Sequence, residues 1–143
     1  VNPVPVAEDV YGRVDVNIPA KAEWVAVARL TVAAVASRLQ FSVEDIEDVK
    51  LAIAEACTNS IQHGAPSDTI AIACEVSGEE LRITVRDQGQ GVRLESVVET
   101  GFKEDGRTEE LGVFLIRALM DSVEYRVDAR EGTELVMTKR VLA

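Results

Sequence analysis

Four short stretches of this 143-residue chain hold residues that could do chemistry. Glu55 and Asn59 stand one helical turn apart in Glu-Ala-Cys-Thr-Asn-Ser-Ile-Gln-His, residues 55–63. A carboxylate can take up a proton, and an amide oxygen can serve a cation or a donor. Asp87-Gln88-Gly89-Gln90-Gly91 follows an alternating segment. Its glycines permit close backbone approach, and its carboxylate can accept a hydrogen bond from a ligand amine. Leu111-Gly112 opens an apolar run, where the free N–H groups of a helix start could hold phosphate. Gly132-Thr133 lies near the end. Each stretch also has a plain reading: a solvated helix face, an Asp-Gly-type turn, a helix start that holds water.

The elements that must position these residues follow from periodicity. Residues 43–63 read as one helix, with Ser42 as N-cap and Asp45 able to close a capping box. With Ile46 set at zero, Val49, Ile53, Cys57 and Ser60 fall within about 60° of it, a stripe suited to a core. Glu55 then falls near 180° and Asn59 near about 220°, facing away from that core. Gly64-Ala65-Pro66 stops the helix, and His63 serves its end rather than any reaction. Residues 21–40 read as a second helix, with Trp24, Val27, Ala28, Thr31, Val35 and Leu39 as its apolar stripe. Residues 111–121 form a third, buried one.

Residues 10–18 alternate, with Val14, Val16 and Ile18 on one face. Residues 69–76 and 81–85 make a hairpin across Ser77-Gly78, and residues 123–127 and 133–141 a closing hairpin across Glu131-Gly132. Residues 92–110 lack a sustained period and read as a long loop, with a short helix near 94–98. Residues 1–9, with Pro3 and Pro5, form a flexible leader, and 10–143 one domain. The fold class is α+β, with helices on one face of a mixed, mostly antiparallel sheet.

Fifteen basic against 25 acidic side chains leave a net charge of −10, which argues against nucleic acid as the direct partner. Nucleotide binding stays open, because backbone amides and one divalent ion can manage it. No apolar run is long enough for a bilayer span. Cys57 and Cys74 lie on expected core faces without CxxC spacing and read as reduced thiols, which fits the cytoplasm.

Taken together, the order Glu-Ala-x-x-Asn-Ser-x-x-His, Asp-Gln-Gly-Gln-Gly, Leu-Gly and Gly-Thr resembles the Bergerat-type ATP-binding fold of gyrase, Hsp90, histidine kinases and MutL. The small size and the run from Leu111 to Tyr125 look like the anti-sigma factor serine kinases of the RsbW and SpoIIAB type. The resemblance implies ATP and Mg²⁺ as cofactors, with Asn59 coordinating the metal and Glu55 as general base for an attacking serine. It implies that Asp87 binds the adenine amino group, that Gly89, Gly91 and Gly112 shape the nucleotide pocket, and that Thr133 supports the adenine end. Residues 92–110 would be the lid. The implied partners are a sigma factor of RNA polymerase and a STAS-domain anti-anti-sigma protein, in a homodimer built through the first strand and helix.

The family usually has Gly-x-Gly at the lid's end, and here Glu110 takes the first glycine's place. A carboxylate facing phosphates is disfavoured unless a cation intervenes. A partner-binding module of the same fold without kinase activity, and a switch kinase of the RsbT type, are the alternatives. A histidine-kinase catalytic unit is excluded as complete, because the only histidine, His63, sits in the Glu55–His63 stretch and no phosphoacceptor helix is present.

Overall fold

A computed structural model describes residues 10–63, 69–87, 108–128 and 132–142. Five strands form one sheet: β1 (Val10–Pro19), β2 (Thr69–Ser77), β3 (Glu80–Asp87), β4 (Ser122–Asp128) and β5 (Gly132–Arg140). The order is β1-β2-β3-β5-β4, and every described pairing is antiparallel. The expected α+β fold, with helices on one face of a mostly antiparallel sheet, is therefore present, and the pairings among the described residues are antiparallel throughout. The β2–β3 turn needs only Gly78 and Glu79, and Gly78 supplies the positive φ of 61° that a tight two-residue hairpin requires at its first position.

Alternation explains which face of the sheet is buried. Ile70, Ile72, Cys74 and Val76 of β2, and Leu81, Ile83 and Val85 of β3, turn inward beneath three helices. These are α1 (Val25–Ala36), α2 (Val43–His63) and α3 (Thr108–Leu119). The central helix α2 packs between α1 and α3 and lies over β3 and β5, while α1 covers β1 and β2 and α3 reaches β4. Val49, Ile53, Cys57, Ile83, Ile116 and Met137 are fully buried where these layers meet.

Several expectations are corrected in detail. The first helix is divided: Ala22–Trp24 is a 3₁₀ turn, and the α-helix proper ends at Ala36. Its buried residues are Ala28, Val32, Val35 and Ala36, whereas Trp24 and Val27 are exposed. Val14, expected on the buried face of β1, is exposed too, because the helices cover only the Ile18 end of that edge strand. The third helix begins at Thr108, so Thr108, Glu109 and Glu110 belong to its first turn rather than to a loop. Acidic residues are favoured there, where unpaired N–H groups leave partial positive charge. The remainder of the expected lid, with the short helix near 94–98, lies outside the described residues, as do the leader 1–9 and the stop at 64–66.

The N-cap of α2 forms as expected: Ser42 Oγ accepts the Asp45 backbone N–H at 3.0 Å. The Asp45 carboxylate stands 4.0 Å from Lys139 Nζ. Lys139 also donates to the Leu119 carbonyl at the end of α3, at 2.6 Å. One buried ammonium thus ties the start of α2 and the end of α3 to β5.

Candidate functional site

That tie fixes the direction of α2. Lys139 pairs with Leu81 at the beginning of β3, so α2 starts over that end of the sheet and finishes over the other, where β3 ends and β5 begins. Asp87 is the last residue of β3, and its register partner on β5 is Thr133. Both continue the inward rows, Asp87 after Leu81, Ile83 and Val85, and Thr133 before Leu135 and Met137. They are 3% and 5% exposed. The apolar floor beneath the helices therefore ends in a carboxylate and a hydroxyl, under the same end of α2 that carries Glu55 and Asn59.

On α2 the helical-wheel expectation is corrected. The buried residues are Val49, Ala52, Ile53, Ala56, Cys57, Asn59 and Ser60. On the same 100° wheel their centre lies near Val49, about 60° from the Ile46 reference. Asn59 consequently lies at the edge of the buried face, only 6% exposed, and Glu55 just beyond it, half-buried. Asn59 Oδ1 is buried, and no hydrogen-bond partner for it is found among the described residues. A buried amide oxygen without a partner costs about 1–3 kcal/mol and calls for a donor or a cation.

Gly112 falls one turn inside α3, past the four free amides of the helix start, so it is not itself the helix opening that Leu111-Gly112 suggested. It is buried, and its Cα faces α2: a Cβ built on it would stand 3.0 Å from Glu55 Oε2. Sequence reasoning missed this contact. Gly89 and Gly91 lie outside the described residues. His63 is the last residue of α2, and its side chain also lies outside the described ones.

Other groups have structural explanations. Burial pushes the Cys57 thiol up to about 12. It also raises Cys74 to about 11, with the Asp15 charge adding to the shift. Both are buried free thiols with little thiolate at neutral pH. A shallow cleft of about 320 Å³ opens on the opposite, solvent face of the sheet and contains none of the candidate residues. Its charges already pair with one another: Arg13 with Asp15 and Glu75, and Arg86 with Glu134. The Arg13 bond holds the exposed Asp15 carboxyl below its usual range. Among the described residues no three His, Cys, Asp or Glu gather to hold a metal, and no helix is long and apolar enough to cross a membrane.

Comparison with known proteins agrees with this architecture. A family model described as a histidine kinase-like ATPase domain matches residues 18–139. The chain is similar to serine-protein kinase RsbW of Halalkalibacterium halodurans, with 40% identity over 134 residues, covering 88% of this chain and 82% of that one. It is likewise similar to serine-protein kinase RsbW of Bacillus cereus strain Q1, with 39% identity over 140 residues, covering 92% and 86%. Among solved structures it resembles the RsbU and RsbW domains of a Mycobacterium tuberculosis protein, with a TM-score of 0.68. That match covers 90% of this chain and 32% of the crystallised one, and at 21% identity it speaks for the fold.

Proposed function

The chain belongs to the histidine kinase-like ATPase family and, within it, to the RsbW serine-protein kinases, and from this premise we propose that it is an ATP-dependent protein-serine kinase and anti-sigma factor. Its substrate is a STAS-domain anti-anti-sigma protein, its captive a sigma factor of RNA polymerase. It works in the cytoplasm, as a homodimer. The observation that carries the reading is Asn59 Oδ1, without a hydrogen-bond partner among the described residues and buried on α2 over the end of the sheet where Asp87 and Thr133 stand.

The donor set fits Mg²⁺ in one particular way. A single amide oxygen is too little for a site made of protein alone, and Mg²⁺ commonly takes one or two protein ligands with the rest from phosphates and water. Asn59 would hold the ion on the nucleotide phosphates, where it supplies charge neutralisation when bound. Asp87 accepts the adenine amino N–H, with Thr133 beside it and Gly89, Gly91 and Gly112 lining the same pocket. An ionised carboxylate is an acceptor only, which selects adenine over a base presenting a carbonyl at that position.

Glu55, one turn before Asn59, receives the proton. The substrate serine Oγ attacks the γ-phosphorus, the bond to the β,γ-bridging oxygen breaks, ADP departs, and the hydroxyl proton passes to the Glu55 carboxylate. Most of the barrier is lowered by position and charge, and the base contributes a factor of roughly 10²–10⁴.

Calorimetric titration with Mg-ATP and transfer from γ-labelled ATP to a STAS-domain protein test the two halves separately. Glu55→Ala should bind Mg-ATP like the wild type and lose transfer. Asn59→Ala should lose Mg²⁺-dependent binding. Undiminished transfer in the first or undiminished affinity in the second refutes the corresponding assignment.

A further inference from the structure

Gly112 sits in the second turn of α3, pressed against α2, and the space a side chain would fill there lies 3.0 Å from Glu55 Oε2. That is tighter than nine in ten real Cβ contacts. The atom in the way is the far end of a flexible side chain, not backbone. A methyl at 112 would therefore be accommodated by the Glu55 carboxylate swinging aside, with the two helices staying packed.

We infer that Gly112 is a positioning residue for Glu55: its missing side chain leaves the space in which the carboxylate is held, and the approach of α3 sets where the proton acceptor stands. The inference rests on the role proposed above for Glu55. It differs from a bare packing role in a way that can be measured. Were Gly112 needed only for close helix contact, alanine would loosen the fold. Here alanine should leave the fold intact, because it is the better helix former and the strain is shed by one side chain.

The test compares wild type, Gly112→Ala, Glu55→Ala, Glu55→Asp and the Gly112→Ala/Glu55→Asp double variant in the full chain. Thermal midpoint, Mg-ATP affinity by calorimetry, kcat for transfer from γ-labelled ATP to a STAS-domain protein, and crystal structures are recorded. Gly112→Ala should keep its thermal midpoint, yet lose kcat at saturating Mg-ATP by about 10- to 100-fold, the scale of an ångström's misplacement. Its crystal structure should have the Glu55 carboxylate displaced. An aspartate side chain, one methylene shorter, clears the methyl, so Glu55→Asp should cost much less in the Gly112→Ala background than alone, a coupling expected only of side chains that touch.

Wild-type kcat in Gly112→Ala, an unmoved carboxylate, or additive effects in the double variant would overturn the inference. So would a fall of thermal midpoint together with kcat, which is the pattern of a packing role. Glu55→Ala serves as the reference. If it transfers at the wild-type rate, the base assignment itself fails; if it is inactive while Gly112→Ala is normal, only the positioning inference fails.

Discussion

Replacing Asn59 with leucine should make the protein more stable and unable to answer to nucleotide. In the free protein Asn59 Oδ1 is buried and finds no hydrogen-bond partner among the described residues. Such a group forfeits about 1–3 kcal/mol, and an apolar side chain of similar volume removes the forfeit. Allowing for whatever the amide N–H groups lose, a net gain of about 1 kcal/mol is expected, or a rise of a few degrees in thermal midpoint for a chain of this size. Mg-ATP reverses the order. At one hundred times its Kd, a ligand that binds only the folded state adds about 2.7 kcal/mol to the wild type. The leucine variant, with no oxygen to offer, should gain nothing. The signature is therefore a crossing: leucine above asparagine without nucleotide, asparagine above leucine with it. Differential scanning calorimetry with and without saturating Mg-ATP reads both halves. If the leucine variant gained as much from Mg-ATP as the wild type, Asn59 would not serve the nucleotide. If it were several kcal/mol less stable without ligand, the oxygen would have a partner after all.

Three further outcomes follow from the same geometry. Ser42→Ala removes the acceptor of the Asp45 N–H at 3.0 Å and should cost about 1 kcal/mol in urea unfolding, with Mg-ATP affinity unchanged. An unaltered midpoint would mean that the cap contributes nothing. Ile53→Ala, a fully buried truncation at the contact of α2 with the sheet, should cost about 2–5 kcal/mol in the same assay. A cost under about 1 kcal/mol would contradict the close packing assigned to that layer. The two thiols predict alkaline lability: their folded values of about 12 and 11 lie above the ordinary 9.0. Between those values the unfolded chain sheds protons that the folded chain keeps. Their contribution is thus whole below pH 9.0 and lost as pH rises towards the folded values. Urea midpoints measured from pH 8 upward should fall, and less so in Cys57→Ala/Cys74→Ala; equal slopes in the two proteins would refute the assignment.

How much of this was legible in the residues depended on which interactions were local. The hairpin across Gly78, the Ser42 cap and the full extent of α2 were readable because neighbouring residues decide them. The inward rows of β2 and β3 were readable from alternation alone. What was not readable was the azimuth of each helix. Anchoring the α2 wheel on Ile46 turned Asn59 outward, whereas the buried arc runs from Asn59 through Ala52, Ala56 and Val49 to Cys57 and is centred about 60° away. Alanine carries little hydrophobic signal, so the buried Ala52 and Ala56 on the Asn59 side of that arc do not announce it. The same bias placed the large Trp24 in the core and passed over the buried Ala36. Thr108–Glu110 read as loop because polar residues at a helix start resemble polar residues in a loop when the only guide is hydrophobic period.

That error of azimuth has a functional meaning. An exposed Glu55 and Asn59 would have been ordinary surface residues, solvated at no cost and equally useful anywhere. Half-buried and buried, they stand otherwise: a carboxylate in the space beside a glycine of α3, and an amide oxygen that is a liability in the free protein, with no donor among the described residues. A fold keeps such groups at the end of an apolar floor only where something else satisfies them, because each could be replaced at a gain in stability. Asp87 is buried nearby, the carboxylate that closes a row of Leu81, Ile83 and Val85. The residue types alone were compatible with a solvated face and a structural turn. The buried Asn59 oxygen on α2, above the strand ends where Asp87 and Thr133 are buried, is what makes a ligand there the economical explanation.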